Sequence, residues 1–174
     1  MKITSPKVKT REDIRQIADE LRNQGKTIVS INGSYDILHI GHIKMLQEAR
    51  KQGDVLILGL NSDESVREWK KFVNNPNWHK RPINPAWARA EMLAALDSVD
   101  YIEIYDEPEC MPFLDNLKPH IHVNGSDYGE DCVEAPIVKK NGGRIHIAKF
   151  IEGFSTTKFI DKILDIYNDE SEKR

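Results

Sequence analysis

Residues 27–50 read TIVSINGSYDILHIGHIKMLQEAR, a segment in which an apolar run, a polar turn and a helical pattern follow one another. The apolar run from Thr27 to Ile31 predicts a buried strand, and a polar turn follows it. From residue 39 onward the apolar side chains recur with helical spacing, which predicts a helix. In a parallel α/β sheet such a junction lies at the carboxyl end of the strand. Ligands bind there, and the free N–H groups of the helix attract anions.

Two histidines stand at the start of the predicted helix. His39 and His42 are three residues apart, so we expect both side chains on one side of the first turn. Gly33 and Gly41 leave the nearby backbone open to close approach, and the combination favours a phosphate site. Two alternatives stay open. One is an ordinary strand-turn-helix, and the other is a metal site of Asp36, His39 and His42, whose spacing does not match the usual zinc patterns.

Outward from this stretch, strands and helices alternate. Apolar runs predict four further strands, at 55–60, 101–104, 120–123 and 144–148, and helical patterns cover 11–24, 62–72, 85–99, 108–117, 135–140 and 156–166. We therefore predict a single α/β domain over residues 1–174, with a parallel sheet flanked by helices in a Rossmann-like arrangement. We expect residues 1–9 and 168–174 to be flexible, and the turn-rich residues 73–85 to form a lid loop.

Composition limits the classes of partner. The chain has 174 residues, a net charge of -3 and a pI near 6.1, so it lacks the basic excess of a nucleic-acid binder. No segment resembles a signal peptide or reaches the length of a membrane span, and we expect a cytoplasmic protein without membrane contact. Cys110 and Cys132 are expected to be free thiols.

Residues 33–42, GSYDILHIGH, resemble the G-x-[FY]-D-x-x-H-x-G-H motif of the cytidylyltransferase-like nucleotidyltransferases. Further segments look closest to the D-glycero-β-D-manno-heptose 1-phosphate adenylyltransferases of that group: RPINP at 81–85, NGSDY at 124–128, NGG at 141–143 and GFSTTK at 153–158. The chain departs from the pattern in two places. Residues 73–85 are longer than the family's link, and Asn124 stands where lysine is common.

The resemblance implies an enzyme that moves a nucleoside monophosphate from a nucleoside triphosphate to a small sugar phosphate and releases pyrophosphate. ATP and heptose 1-phosphate, giving ADP-heptose, are the favoured pair. The alternative is a cytidylyltransferase that uses CTP and glycerol 3-phosphate or another small phosphate or phosphonate. An alternative of another class is a non-catalytic nucleotide-binding regulatory domain. The resemblance also implies Mg²⁺, bound mainly through the nucleotide phosphates, and a homodimer.

The same resemblance assigns the site residues. The expected catalytic residues are His39, His42, Lys71 and Arg89, with the histidines protonated or hydrogen-bonding. The expected nucleotide-binding residues are Asn32, Gly33, Ser34, Tyr35, Gly41, His42, Asn124, Gly125, Asp127, Ser155, Thr156 and Thr157. The expected acceptor-binding residues are Asp36, Lys70 and Arg81, and no set of metal-ligating side chains is expected.

Purely structural or solvent-exposed roles for these residues also stay open. Lys70 and Lys71 can be a solvated pair, Arg89 a surface arginine, and Ser155 a simple helix cap. Asp127 can bind a hydroxyl of the substrate or cap its own turn. The sequence leaves open which of Lys70, Lys71 and Lys80 reaches the phosphates.

Overall fold

The computed structural model describes residues 3–126, 129, 131–149 and 153–171. In this part of the chain one parallel sheet has the strand order β1-β4-β3-β2-β5-β6. Its strands are β1 (Val8–Lys9), β2 (Ile28–Gly33), β3 (Val55–Asn61), β4 (Tyr101–Tyr105), β5 (Ile121–Gly125) and β6 (Arg144–Ala148). The single α/β domain with a parallel, Rossmann-like sheet is confirmed.

Helices connect the strands on both faces of the sheet. They are α1 (Arg11–Asn23), α2 (Ile40–Arg50), α3 (Asp63–Phe72), α4 (Ala86–Ala94), α5 (Met111–Leu117), α6 (Ala135–Lys140) and α7 (Thr156–Ser171), with a 3₁₀ turn at Trp78–Lys80. Within the described ranges, no helix combines the length and the apolar character needed to cross a bilayer.

Local sequence explains where the first helices begin. Thr10 and Asp13 form a reciprocal capping box at the start of α1, as the spacing predicts. Ser62 accepts a hydrogen bond from the Ser65 backbone N–H and so caps α3 directly after β3. Because β3 is covered on both faces, its run of apolar residues is almost wholly buried.

Two apolar clusters hold the layers together. On one face of the sheet α2 and α4 pack through side chains such as Leu46 and Leu93. On the other face α1, α5 and α6 pack through Ile14, Phe113 and Val138. The side chains at the centre of each cluster are fully buried, so the sheet is a rigid support for the residues at its edge.

The strand order reverses direction beside β2. From β2 the chain runs outward through β3 and β4, and β5 then returns to the opposite side of β2. The carboxyl ends of β2 and β5 therefore flank a topological switch point, which is where open α/β sheets bind ligands. Gly33 ends β2 and Gly125 ends β5, so the two glycine turns of the sequence meet at this edge.

The structure corrects the predicted elements in four places. Helix α7 runs to Ser171, five residues beyond its predicted end and into the segment 168–174 that was expected to be flexible. Residues 8–9, counted in a flexible polar lead, form a sixth strand that pairs with Ile102 and Glu103 of β4. Helix α5 begins at Met111 rather than at residue 108, because residues 106–110 form an irregular turn. Helix α4 ends at Ala94, five residues earlier than predicted.

Candidate active site

The two histidines of the motif form a stacked pair. His39 is the N-cap residue of α2, and its ring lies 3.7 Å from that of His42, at an interplanar angle of 21°. The Nδ1 atoms of both rings are buried and have no hydrogen-bond partner in the described structure. Burial lowers the pKa of both side chains, to about 4 for His42, where the neighbouring His39 adds to the effect. Both imidazoles are therefore neutral at pH 7 without a ligand, which leaves them able to hydrogen-bond, the second of the two states expected from the sequence.

Glycines allow this pair to form. A Cβ atom at Gly41 would lie 3.0 Å from the His39 ring, and one at Gly33 would lie 3.1 Å from the Tyr35 ring. Tyr35 itself has a φ of 46°, and its buried ring lies 5.1 Å from that of His42. The motif thus packs three rings around a backbone that has no room for further side chains.

The start of α7 lies against the same group. The Phe159 ring stacks at 6.1 Å on the His39 ring, and the Phe154 Cβ atom lies near Gly41. Ser155 accepts a hydrogen bond from the Lys158 backbone N–H, so it caps α7. Thr156 begins the helix and Thr157 follows, and the structure therefore brings the S-T-T segment close to the start of α2.

Asp36 organises the loop that follows the 3₁₀ turn. Its carboxylate is 1% exposed and accepts hydrogen bonds from Arg81 Nε at 2.6 Å and from the backbone N–H groups of Ile83 and Asn84. The Asn84 amide donates to the Asp36 carbonyl. With its carboxylate committed in this way, Asp36 orders the turn, and the alternative metal site of Asp36, His39 and His42 loses a ligand.

Arg89 is fully buried beneath the same edge. Its guanidinium donates to the carbonyls of Ser34, Asn61 and Asn84 and to the carboxylate of Asp63. Four of its five N–H groups are used in this way. The surface-arginine interpretation is therefore wrong, and Arg89 is bound to the backbone rather than directed at open space.

A pocket of about 260 Å³ opens over the carboxyl ends of the central strands. Polar side chains that line it include Asn32, Ser34, Lys70, Asn124 and Glu134. Asn61 and Tyr105, which also line it, were missed in the sequence, although each ends a strand at this edge and the strand-end rule could have found them.

The structure distinguishes the two lysines on α3, of which Lys71 was expected to be catalytic and Lys70 to bind the acceptor. Lys70 lines the pocket and is half-buried, which lowers its pKa, with a further lowering from the nearby Arg81. Lys71 is exposed and lies with its ammonium group 5.3 Å from the centre of the Trp78 ring. Helical spacing could have predicted that Lys70 lines the pocket, because Lys70 follows the pocket residue Val66 by four positions and lies on the same face of α3.

The pocket also holds a carboxylate that no motif indicated. Glu134 is 7% exposed, and its oxygens accept from Asn124 Nδ2 at 3.1 Å and from the Cys110 thiol at 3.7 Å. Burial raises the pKa of that thiol, which stays protonated. Asp127 lies outside the described residues. Within those residues no three His, Cys, Asp or Glu side chains gather as a metal site.

Comparisons with known proteins agree with this geometry. The family described as Cytidylyltransferase-like matches residues 30–162. Bifunctional protein HldE of Geobacter metallireducens is 44% identical over 94% of this chain, and HldE of Aliarcobacter butzleri is 45% identical over 90%. The chain spans about a third of the length of these relatives, 32% and 31%.

Two solved structures have a similar fold. A lipopolysaccharide core biosynthesis protein from Thermoplasma volcanium superposes with a TM-score of 0.54 at 29% identity, over 73% of this chain and 98% of that one. A pantoate-beta-alanine ligase from Francisella tularensis gives 0.61 at 18% identity, over 82% and 66%, a likeness of fold alone. With the matched residues covering most of the domain and the histidine pair inside them, the chain belongs to the cytidylyltransferase-like family.

Proposed function

We propose that this domain is a nucleotidyltransferase that joins a nucleoside monophosphate to a sugar phosphate, with ATP and D-glycero-β-D-manno-heptose 1-phosphate as its substrates. The observation that carries the proposal is the stacked histidine pair at the start of α2, whose buried Nδ1 atoms have no partner. Buried polar atoms without partners are rare in folded proteins, and at a strand-end crevice they mark a place where a ligand supplies the bond. Family membership and the HldE relatives support the choice of chemistry.

In the proposed reaction an oxygen of the acceptor phosphate attacks the α-phosphorus of ATP. The new O–P bond forms as the bond to the β-phosphate oxygen breaks, and pyrophosphate leaves with that electron pair. Because the attacking oxygen is already anionic, no general base is needed. The protein has to align the reactants and stabilise the charge that develops on the phosphate oxygens.

The histidines, the S-T-T segment and Lys70 supply this stabilisation. His39 and His42 hydrogen-bond to the nucleotide phosphates, whose negative charge favours the imidazolium form and reverses the effect of burial on the pKa. Backbone N–H groups at the starts of α2 and α7 bind further oxygens. Lys70 takes the role that the sequence gave to Lys71, because it is the lysine of that pair that lines the pocket. Arg89 and Asp36 act indirectly, by holding the strand-end loops in place.

Magnesium fits this site only as a partner of the nucleotide. The carboxylates of Asp36 and Asp63 are engaged by Arg81 and Arg89. The described residues thus offer no carboxylate cage, and the metal would be held by phosphate oxygens and water. When bound, it would neutralise charge on the triphosphate.

Pyrophosphate release tests the proposal. The domain is incubated with magnesium and each of ATP, CTP, GTP and UTP, against heptose 1-phosphate, glycerol 3-phosphate and other small phosphates. We expect turnover with ATP and heptose 1-phosphate. Turnover with CTP and a polyol phosphate instead would assign the cytidylyltransferase alternative. Nucleotide binding without release from any pair would favour the regulatory-domain alternative.

We also propose a cytoplasmic homodimer, as the resemblance implies. Helix α7 exposes apolar side chains, including Phe159, Ile163, Leu164 and Ile166, which a second copy could cover. Light scattering on the purified domain measures the mass directly. A monomer at micromolar concentration would contradict the dimer and leave the chemistry untouched.

A further inference from the structure

Glu134 is a buried carboxylate that the proposed chemistry does not use. Among the described residues it forms no ion pair, and the two hydrogen bonds that it accepts come from a neutral amide and a neutral thiol. The nearby His122 does not supply a cation at pH 7, because burial lowers its pKa to about 4 against the opposing effect of the Glu134 charge. A buried carboxylate without a cation is costly, so a fold does not gain by keeping one. Helix capping does not explain it either, because Glu134 precedes α6 without any side-chain bond to that helix.

The pocket around Glu134 has hydrogen-bond acceptors to spare. A carboxylate has about four acceptor positions, and Glu134 uses two of them in the described structure. Asn32 lines the same pocket, and its Oδ1 atom is buried without a partner. Asn124, itself 8% exposed, orients Glu134 through its amide N–H. Such a surface is matched by a ligand that donates several hydrogen bonds.

The positive charge of Lys70 and the negative charge of Glu134 lie beside different parts of the chain. Lys70 lies near Arg81 and Asp36, on the side of the loop after β2, where a phosphate would be attracted. Glu134 contacts Asn124 of β5 and Cys110 before α5 instead. The Glu134 carboxylate would repel a phosphate group beside it, whereas hydroxyl groups could donate hydrogen bonds to it.

We infer that Glu134, oriented by Asn124, binds hydroxyl groups of the acceptor and so selects a polyhydroxylated monophosphate over a small phosphate without hydroxyls. The inference rests on the proposed function, because it assigns the pocket to the acceptor. It adds a specificity residue that belongs to none of the motifs of the sequence.

The test compares acceptors in the wild-type domain and in Glu134→Gln, which keeps the shape and removes the charge. We expect KM for heptose 1-phosphate to rise about ten- to hundredfold, the worth of a hydrogen bond or two to a charged group. KM for ATP and kcat should change less than about threefold, and the inhibition constant of methyl phosphate, which has no hydroxyl group, should stay the same. Glu68→Gln, an exposed carboxylate on α3 outside this pocket, is the matched control.

The outcomes separate this inference from the proposed function. Equal KM values for heptose 1-phosphate in both proteins would overturn the inference while turnover stands. Failure of heptose 1-phosphate together with Glu134-dependent turnover of glycerol 3-phosphate would overturn the proposed substrate and support the hydroxyl-binding role. Preference for choline phosphate or ethanolamine phosphate would assign Glu134 to a cationic acceptor and overturn the inference. A parallel rise in both substrates' KM with lower stability would make Glu134 structural.

Discussion

Two groups of buried polar side chains lie at the same edge of the sheet and differ in one respect. Around Arg89 and Asp36 nearly every donor and acceptor has a partner within the chain. In the His39–His42 pair the buried Nδ1 atoms have none. The difference separates scaffold from candidate site, because a satisfied network stabilises the fold whereas unsatisfied atoms at a strand-end crevice are available to a ligand.

Removing Arg89 should give the largest effect on stability. Arg89→Met leaves three carbonyls without the guanidinium and leaves the Asp63 carboxylate with only the Ala86 N–H as a donor. We expect the free energy of unfolding to fall by about 3–5 kcal/mol in urea titration. Arg67→Met, which breaks a partly exposed pair with Glu64, should cost less than about 1 kcal/mol. A stable but inactive Arg89→Met protein would assign Arg89 a direct role in the reaction and would contradict its purely structural assignment.

Removing His42 should lower activity and leave stability unchanged. His42→Ala is expected to lower kcat by about a hundred- to thousandfold, the cost of losing one preorganised donor, with the fold intact. Turnover is measured by pyrophosphate release and the fold by circular dichroism. His146→Ala serves as the control, since His146 lies on β6 and its ring contacts Glu48 of α2 rather than His39 or His42. Near-normal turnover in His42→Ala would remove this residue from the mechanism.

Lys70 and Lys71 allow a pocket residue and an exposed residue to be compared within one helix. Lys70→Ala should lower kcat/KM about ten- to hundredfold, because it removes a charged donor from the pocket. Lys71→Ala should change it by about twofold, as for an exposed side chain. The reverse order of effects would restore the assignment that the sequence favoured and would require α3 to turn when substrate binds.

The last expected effect is a dependence of stability on pH. In the folded protein burial holds the pKa of His42 at about 4, below its usual value near 6.5, so the unfolded chain binds the proton more readily. Stability due to the neutral ring is therefore present above pH 6.5 and is lost as the pH falls toward 4. His122, also neutral by burial, contributes in the same direction. Denaturant titrations between pH 4 and 7 should show a shallower decline for His42→Ala than for the wild type, and equal slopes would contradict the shifted pKa.

Local patterns allowed most of the fold to be predicted. The run from Thr27 to Ile31, the histidine motif and the capping box at Thr10 each specify structure over a few neighbouring residues. Strand β1 was missed because two residues are too few to show a period, and its partner lies more than ninety residues away at Ile102.

The site was harder to predict because its contacts are not local. Arg89 is polar and falls off the apolar stripe of α4, which is typical of an exposed residue. Its burial depends on carbonyls at residues 34, 61 and 84. Glu134 gives no signal in the sequence at all, since its partners at 110 and 124 come from other elements. The motif predicted where a phosphate would bind, but not which side chains would contact the acceptor.

Strand β1 has a consequence for solubility. It is two residues long and contains Lys9, so the outer edge that it offers to another molecule is short and charged. Beneath it lies β4, YIEIY, whose aromatic and β-branched residues favour pairing with a further strand. The Ile102 N–H already donates to Lys7 in the covered sheet. Trimming the chain to begin at residue 10 would uncover this edge, and β1 therefore protects the domain from edge-to-edge aggregation.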